Sequence, residues 1–404
     1  MSSFPSTSTA LRGPAPTPAW MTLLLASACG LIVANLYYAQ PLIGLIGPAI
    51  GLAPEHASLI VMLTQLGYCA GLVLLVPLGD LVENRRLTLV TVSGAVIALA
   101  VAAVAPNEAW FFAASLCIGL GSVAVQMLVP IASHMAPDAS RGRMVGNVMS
   151  GLLLGIMLAR PLSSLLASLF GWRAVFGISA VLIAVLAVVL RGLLPTRRPT
   201  THHTYGELMR SLWTLLRDTP LLRRRAVYQA MLFASFSLFW TAVPLELAGP
   251  TFNLTQRGIA VFALLGAAGA ISAPIAGRIA DRGRIWSHAA TAASLAMVVL
   301  SFLLARVGAE GSLAALVCAS ILLDLGVQAN LVLGQRAIYA LGEHTRSRLN
   351  GLYMAIFFLG GALGSALASI AYSRGGWPLV CWVGGAFPVV ALLAFATEAR
   401  PLQR

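Results

Sequence analysis

Long apolar runs separated by short polar connectors dominate the chain. Twelve segments carry almost no charge, at residues 20–45, 57–79, 87–105, 109–133, 144–170, 174–193, 226–249, 258–280, 287–305, 311–338, 349–372 and 377–397. At roughly 18 to 28 residues, each is long enough to cross a hydrocarbon core about 30 Å thick. Backbone groups in lipid must bond within their own element, and the ten-residue alternation of a membrane barrel is absent, so the segments are predicted to be helices. The fold class expected is an all-α polytopic membrane protein with twelve transmembrane helices. Glycine, at 38 residues, is frequent inside the segments, which suits close helix packing in lipid.

Composition agrees: 59% of residues are hydrophobic and 10% charged, and a water-soluble domain of that make-up would expose apolar patches it could not hide. All 26 basic residues are arginine, and the net charge of +13 would ordinarily point to nucleic acid. Their placement excludes that partner. One set of connectors holds twenty: Arg12, Arg85, Arg86, Arg141, Arg143, the eight from Arg191 to Arg225, Arg278, Arg282, Arg284, Arg346, Arg348, Arg400 and Arg404. The opposite set holds Arg173, Arg257, Arg306 and Arg374. By the positive-inside rule both termini are expected in the cytoplasm, with the chain in the cytoplasmic (inner) membrane.

Residues 1–18, rich in Ser, Thr and Pro, read as a disordered lead. "LLASAC", ending at Cys29, faintly resembles a lipoprotein cleavage box. The apolar run continues through it, so an uncleaved first span is expected. The five cysteines all fall inside the segments without metal-ligand spacing and read as packing residues; no metal or cofactor is expected.

The chain repeats itself. "RGRMVGNVMSGLLLG" from Arg141 and "RSRLNGLYMAIFFLG" from Arg346 share Arg, Arg, Gly, Met and a final Gly at the same positions, 205 residues apart. The same offset carries Gly171-Trp172 onto Gly376-Trp377 and Gly121 onto Gly326. "VPLGDLVENRR" has a partner in "GRIADRGR", Asp80 matching Asp281 at 201 residues. Two pseudo-symmetric six-helix bundles follow, at 19–193 and 226–398, joined by a cytoplasmic arginine-rich linker at 194–225 and ending in a tail at 399–404. Such duplication is the architecture of secondary transporters, with a solute site near the midplane between halves.

"GRIADRGR" resembles the cytoplasmic loop motif of the major facilitator superfamily, and "VPLGDLVENRR" is a looser version of it. The run "RGRMVGNVMSGLLLG…GWRAVF" is similar to the fourth-to-sixth-span region of twelve-span drug:proton antiporters. The resemblance covers nearly the whole chain. It implies a major facilitator fold, solute transport by alternating access, and a cytoplasmic charge latch between halves, carried by Asp80, Arg85 and Arg86 and by Asp281, Arg282 and Arg284. The plainer reading is that Asp80 orients a short loop and the arginines obey the positive-inside rule. The sequence also departs from the antiporter pattern, with Ser115 where span four often has arginine and Arg160-Pro161-Leu162-Ser163 where span five often has Gly-Pro and paired glycines.

An ionisable side chain at the centre of a span costs at least about 2.5–3.5 kcal/mol on insertion scales, which makes each one a functional candidate. Arg160 lies inside span five and Asp324 near the middle of span ten, with Gln328 one turn further on and Asn330 beyond. Two opposite charges at similar depth, one per half, invite a pair lining or flanking the central cavity. A protonation cycle at Asp324 that makes and breaks the pair is one reading; a static salt bridge holding the halves in register is the other.

Polar and aromatic residues sketch the cavity lining: Asn35, Tyr37, Tyr38 and Gln40 on span one, Gln65 and Tyr68 on span two, Gln126 on span four, Phe233, Phe236 and Trp240 on span seven, Tyr353 and Phe357 on span eleven. Aromatic walls with few charges suit a hydrophobic or weakly polar solute. The same spacing also serves plain packing. No phosphate-cradling loop is present to drive transport with ATP, and His202-His203 has no further ligands around it. The function expected is proton-coupled efflux of a small organic solute by a monomer in the bilayer. Uptake of a sugar or carboxylate is the alternative within the class, and a non-transporting receptor or a membrane-embedded enzyme the alternative outside it.

Overall fold

The computed structural model describes residues 18–398 except 138–139, 200–203, 272–274, 277, 279–282, 309 and 343–344. Over the described residues the chain folds into helices that take in the predicted segments. In chain order they are α1 (Ala19–Ala34), α2 (Ile43–Ala49), α3 (Leu59–Leu74), α4 (Asn84–Val104), α5 (Glu108–Ser122), α6 (Ala124–Met135), α7 (Arg141–Phe170), α8 (Trp172–Leu193), α9 (Tyr205–Asp218), α10 (Pro220–Ala248), α11 (Gln256–Gly266), α12 (Arg284–Gly308), α13 (Leu313–Tyr339) and α14 (Arg346–Ala396). Among the described residues, nine helical stretches are long and apolar enough to cross a membrane, and Ala19–Ala34 and Gln256–Gly269 are shorter apolar helices. Helix α14 spans twice, because Gly375 and Gly376 break its helical geometry. The expected count of twelve fits this arrangement.

The duplicated motifs acquire physical reasons. Gly171 (φ 81°) and Gly376 (φ 59°) both sit in the left-handed region, where a side chain is strained, and each turns one span into the next just before a buried tryptophan. Gly155 faces the Gly30 backbone of α1, while Gly360, 205 residues on, faces the Ala230 backbone of α10. Small residues at both crossings let the backbones approach as van der Waals packing in lipid requires.

Polarity is inside out relative to a water-soluble protein. Leu23, Val104, Val188 and Leu393 are 65–75% exposed on outer faces, whereas Asn35, Gln40, Gln65, Arg160, Gln229, Asp324 and Asn330 are buried. Cys29, Cys69 and Cys381 are buried as expected of packing residues, but Cys117 and Cys318 are exposed on outer faces. Helix α10 is the most enclosed of the candidate spans, at 83% of its apolar window, so it forms part of the axis of the bundle.

The halves meet along two seams, α3 against α14 and α7 against α11. At the end opposite the arginine-rich connectors, Ser58 and Ser369 exchange backbone-to-hydroxyl hydrogen bonds of 3.0 and 3.2 Å. Deeper, Gln65 Nε2 donates to Ser237 Oγ (2.7 Å), which lies 2.6 Å from Ser365 Oγ. Cys69 Sγ reaches the Ala355 carbonyl (3.3 Å).

Helix α9 lies within the stretch read from sequence as a linker. Its start is a capping box, in which the Thr204 hydroxyl accepts from the Glu207 amide and the Glu207 carboxylate accepts from the Thr204 amide. Leu208 and Leu212 are buried, and the charged face is turned to solvent. The sequence carries the signal for it as Thr-x-x-Glu ahead of an amphipathic run.

Leucine at Gly155 or Gly360 is expected to lower stability by about 1–3 kcal/mol through overpacking at a helix crossing. Leucine at Gly146, on the same helix as Gly155 with open space around it, should change little. Thermal unfolding of the detergent-purified proteins separates the two outcomes.

Candidate functional site

Arg160 sits on α7 in the half of the span remote from the arginine-rich end, 3% exposed, enclosed by three aromatic rings. Its guanidinium carbon lies 4.3 Å from the ring centre of Trp240, 4.8 Å from that of Phe236 and 5.4 Å from that of Tyr37. Two rings come from α10 and one from the turn after α1, so this cage is built across the two halves. Desolvated contacts of this type contribute about 2 kcal/mol or more each. Arg160 Nε donates to Gln40 Oε1 (2.9 Å), which fixes the plane of the guanidinium.

Asp324, on α13, is 6% exposed. The indole Nε1 of Trp240 donates to its Oδ1 at 2.9 Å. The two intramembrane charges are therefore gathered at one place, as their depth in sequence implied, but they do not close a direct ion pair within 4.0 Å. Trp240 stands between them, offering its ring face to the cation and its N–H to the carboxylate. Two glycines make room for this. A Cβ at Gly266 would come within 2.6 Å of the Trp240 ring, and one at Gly269 would run into the Asp324 side chain.

Other expected lining residues divide into groups. Tyr37, Gln40, Phe236 and Trp240 form the cage itself. Asn35 is packed inside the N-terminal half, where its Oδ1 accepts from Ser179 (2.6 Å), with Tyr38 half-buried nearby. Gln65 belongs to the seam already described. An aromatic layer lies toward the arginine-rich end. Phe233 stacks on Phe357 at 3.7 Å, Phe358 meets Tyr68 at 4.4 Å, and Tyr68 accepts from Gln126 Nε2 at 3.0 Å. Phe233 precedes Trp240 by seven residues, about 10 Å along the helix axis.

Asn330 donates to Gln229 Oε1 (2.6 Å), and Gln229 donates to the Val327 carbonyl (3.3 Å), so this pair binds α10 to α13. Gln328, expected beside Asp324, is half-buried and makes no hydrogen bond to it; Trp240 takes that place. Tyr353 is buried with Ile338 and Leu349 in a separate cluster under α9, away from the cage. Trp240 was read from sequence as one wall among several. No sequence period could show that its N–H would be aimed at Asp324, because that requires the crossing of α10 and α13.

Beyond the aromatic layer, a cavity of about 460 Å³ lies between the halves at the arginine-rich end. Leu72, Val76, Gln126 and Pro130 line it from one half, Ser347, Arg348 and Gly351 from the other, and Leu208 and Leu212 of α9 close it. Helix α9 is tied to both sides: the Tyr205 hydroxyl donates to the Leu74 carbonyl (3.1 Å), and Arg348 Nη1 donates to Ser211 Oγ (2.6 Å).

Asp80 lines this same cavity together with Arg348. Arg85 donates to the Arg191 carbonyl at the end of α8, inside its own half, and Arg86 is exposed. Asp281 and Arg282 lie outside the described residues, as does the side chain of Arg284.

A helical bundle with apolar side chains outside, ionisable groups on its axis and a cavity between halves is a multi-pass membrane protein. The Major Facilitator Superfamily family model matches residues 23–326 and again 227–404. The chain belongs to the major facilitator superfamily. It is 40% identical over 375 residues to the uncharacterized transporter YgaY of Escherichia coli, covering 93% of this chain and 94% of that one. To a probable transporter of Streptomyces coelicolor it is 35% identical over 395 residues, covering 96% and 90% of the two chains. Among solved structures, the nucleoside transporter NupG superposes with a TM-score of 0.74 at 16% identity, covering 93% of this chain and 99% of that one. A peptide transporter does so with a TM-score of 0.75 at 18% identity, covering 94% of each chain. Likeness at such identity establishes the fold, and the named relatives establish a transporter class that is not an enzyme class.

Trp240→Phe keeps a ring over Arg160 and deletes the side-chain donor to Asp324. It is expected to cost about 1.5–3 kcal/mol, as for a hydrogen bond to a charged group. In an Asp324→Asn background the same change should cost less, and a double-mutant cycle on unfolding in mixed micelles measures the difference.

Proposed function

We propose that the chain is a proton-coupled secondary transporter that moves a small organic solute between its two halves by alternating access. The observation that carries this reading is the Arg160–Trp240–Asp324 contact. It places a buried cation of one half and a buried carboxylate of the other on the two sides of a single side chain, so a change in charge at Asp324 acts on the contact between halves. Ionised, Asp324 compensates Arg160; protonated, it leaves the guanidinium uncompensated. That is a differential interaction with two arrangements of the halves, which a coupling ion must have to drive transport.

With the arginine-rich end in the cytoplasm of an inner-membrane protein, the 460 Å³ cavity is the cytoplasmic approach to the site. The Phe233, Phe357, Phe358 and Tyr68 layer is then an inner gate. Asp80 and Arg348, which line that cavity from the two halves, and α9, tied to both, supply the elements of a cytoplasmic latch. Two directions of coupling fit. The aromatic rings around Arg160 support export of a hydrophobic or weakly polar solute in exchange for protons. The unbonded donors beside Arg160 support uptake of a carboxylate together with protons.

The test is a pH-gradient transport screen in proteoliposomes with a chemically broad solute panel. Wild-type protein is expected to couple solute flux to the gradient. Asp324→Asn should lose the coupling while retaining solute counterflow, and Arg160→Ala should lose both. Unchanged proton-coupled flux in both variants contradicts the reading, and absence of counterflow from the wild type favours a receptor or enzyme. Asp80→Asn should fold normally and alter the rate of exchange.

A further inference from the structure

Two hydrogen-bond donors at the cage have no partner. Arg160 Nη2 and Gln40 Nε2 are both sealed from solvent, and neither makes a hydrogen bond. They belong to side chains already joined to each other. Arg160 Nε is always a donor, so the Gln40 atom facing it must be the oxygen, and the amide nitrogen is necessarily the atom left over. A buried donor without an acceptor costs about 1–3 kcal/mol, and more when the group is charged. A salt bridge serving only to hold the halves in register would fill these positions. Here Asp324 is bonded to Trp240, and the guanidinium is left with an open N–H on the side of Gln40.

We infer that the transported solute carries a carboxylate, and that Arg160 Nη2 and Gln40 Nε2 hold it together, with its apolar body against Tyr37, Phe236 and Trp240. The inference deepens the proposed function and rests on Asp324 being the proton site. A carboxylate offers acceptors only, so one oxygen or both can take the two N–H groups without creating a new unpaired donor. A water molecule would satisfy the donors as well, but it brings no charge. The difference matters when Asp324 is protonated, because the site then holds an uncompensated cation in a buried setting.

The groups facing Asp324 are few. Trp240 comes from α10, the Gly269 backbone from the turn after α11 and the titratable Tyr37 from the turn after α1, and Arg160 of α7 acts from beyond Trp240, while α12 and α14 bring no titratable partner to it among the described residues. The carboxylates of solute and of Asp324 therefore compete for one guanidinium. Binding the solute anion favours protonation of Asp324, and protonation of Asp324 favours the anion, by the same factor in each direction. Solute and proton are carried together, which is the uptake direction of coupling.

The experiment uses full-length protein in nanodiscs with phenylacetate, 1-naphthoate and octanoate, each paired with its neutral amide. Binding is read by tryptophan fluorescence, and proton uptake by calorimetry in two buffers of different ionisation enthalpy. At least one carboxylate is expected to bind about tenfold or more tightly than its amide, with uptake of up to one proton. Gln40→Leu should remove most of that preference and Gln40→Glu should reverse it. Arg160→Gln should abolish it, and the two Gln40 variants decide the matter if Arg160→Gln does not fold.

Equal binding of acid and amide, no binding of any of the three carboxylates, or an unchanged preference in both Gln40 variants overturns the inference. The two claims fail separately. Carboxylate binding that needs Gln40 but takes up no proton leaves this site standing and overturns the proton role of Asp324. Gradient-driven flux that needs Asp324, with no carboxylate bound, does the reverse.

Discussion

The structure turns on the cost of burying two opposite charges along the axis of a lipid-embedded bundle. Neither Arg160 nor Asp324 is affordable there alone, and a direct ion pair would bind the halves in one arrangement. Placing Trp240 between them satisfies each by a different part of one side chain, the ring face for the cation and the N–H for the carboxylate. Both contacts are made across helix crossings, so they depend on how α7, α10 and α13 meet. The glycines at Gly266 and Gly269 exist in the packing to let that meeting occur.

Around this point the molecule is graded. On one side, the paired Ser58–Ser369 contacts close the halves with neutral hydrogen bonds. On the other, stacked aromatic side chains separate the cage from the cavity beneath α9. Neutral and aromatic contacts can be broken and remade at low electrostatic cost, which is the property that the proposed alternating access needs. Close backbone crossings lie inside each half, where Gly155 meets Gly30 and Gly360 meets Ala230.

Much of this architecture was legible in the chain because hydropathy and repetition report on lipid and on duplication directly. The apolar helices and the depth of Arg160 and Asp324 needed only the pattern of apolar residues. The repeat singled out Gly171 and Gly376, whose left-handed φ explains the match. Contacts between helices distant in sequence were not legible. Trp240 as the bridge, Gln40 as the partner of Arg160, and Tyr353 as part of a separate cluster under α9 all depend on crossing geometry that no period encodes. Helix α9 is masked for a different reason: its apolar stripe is short, with Leu208 and Leu212 its buried residues, and lies among arginines that obey the topology rule.

The central claim is that Asp324 takes up and releases a proton while facing Arg160 through Trp240. Infrared difference spectroscopy of the reconstituted protein across a pH step observes a carboxyl group directly. The account predicts a protonated-carboxyl band that grows on acidification of the wild type and is missing from Asp324→Asn. A band of equal size in both proteins, or none in the wild type over the range in which transport responds to pH, would contradict it.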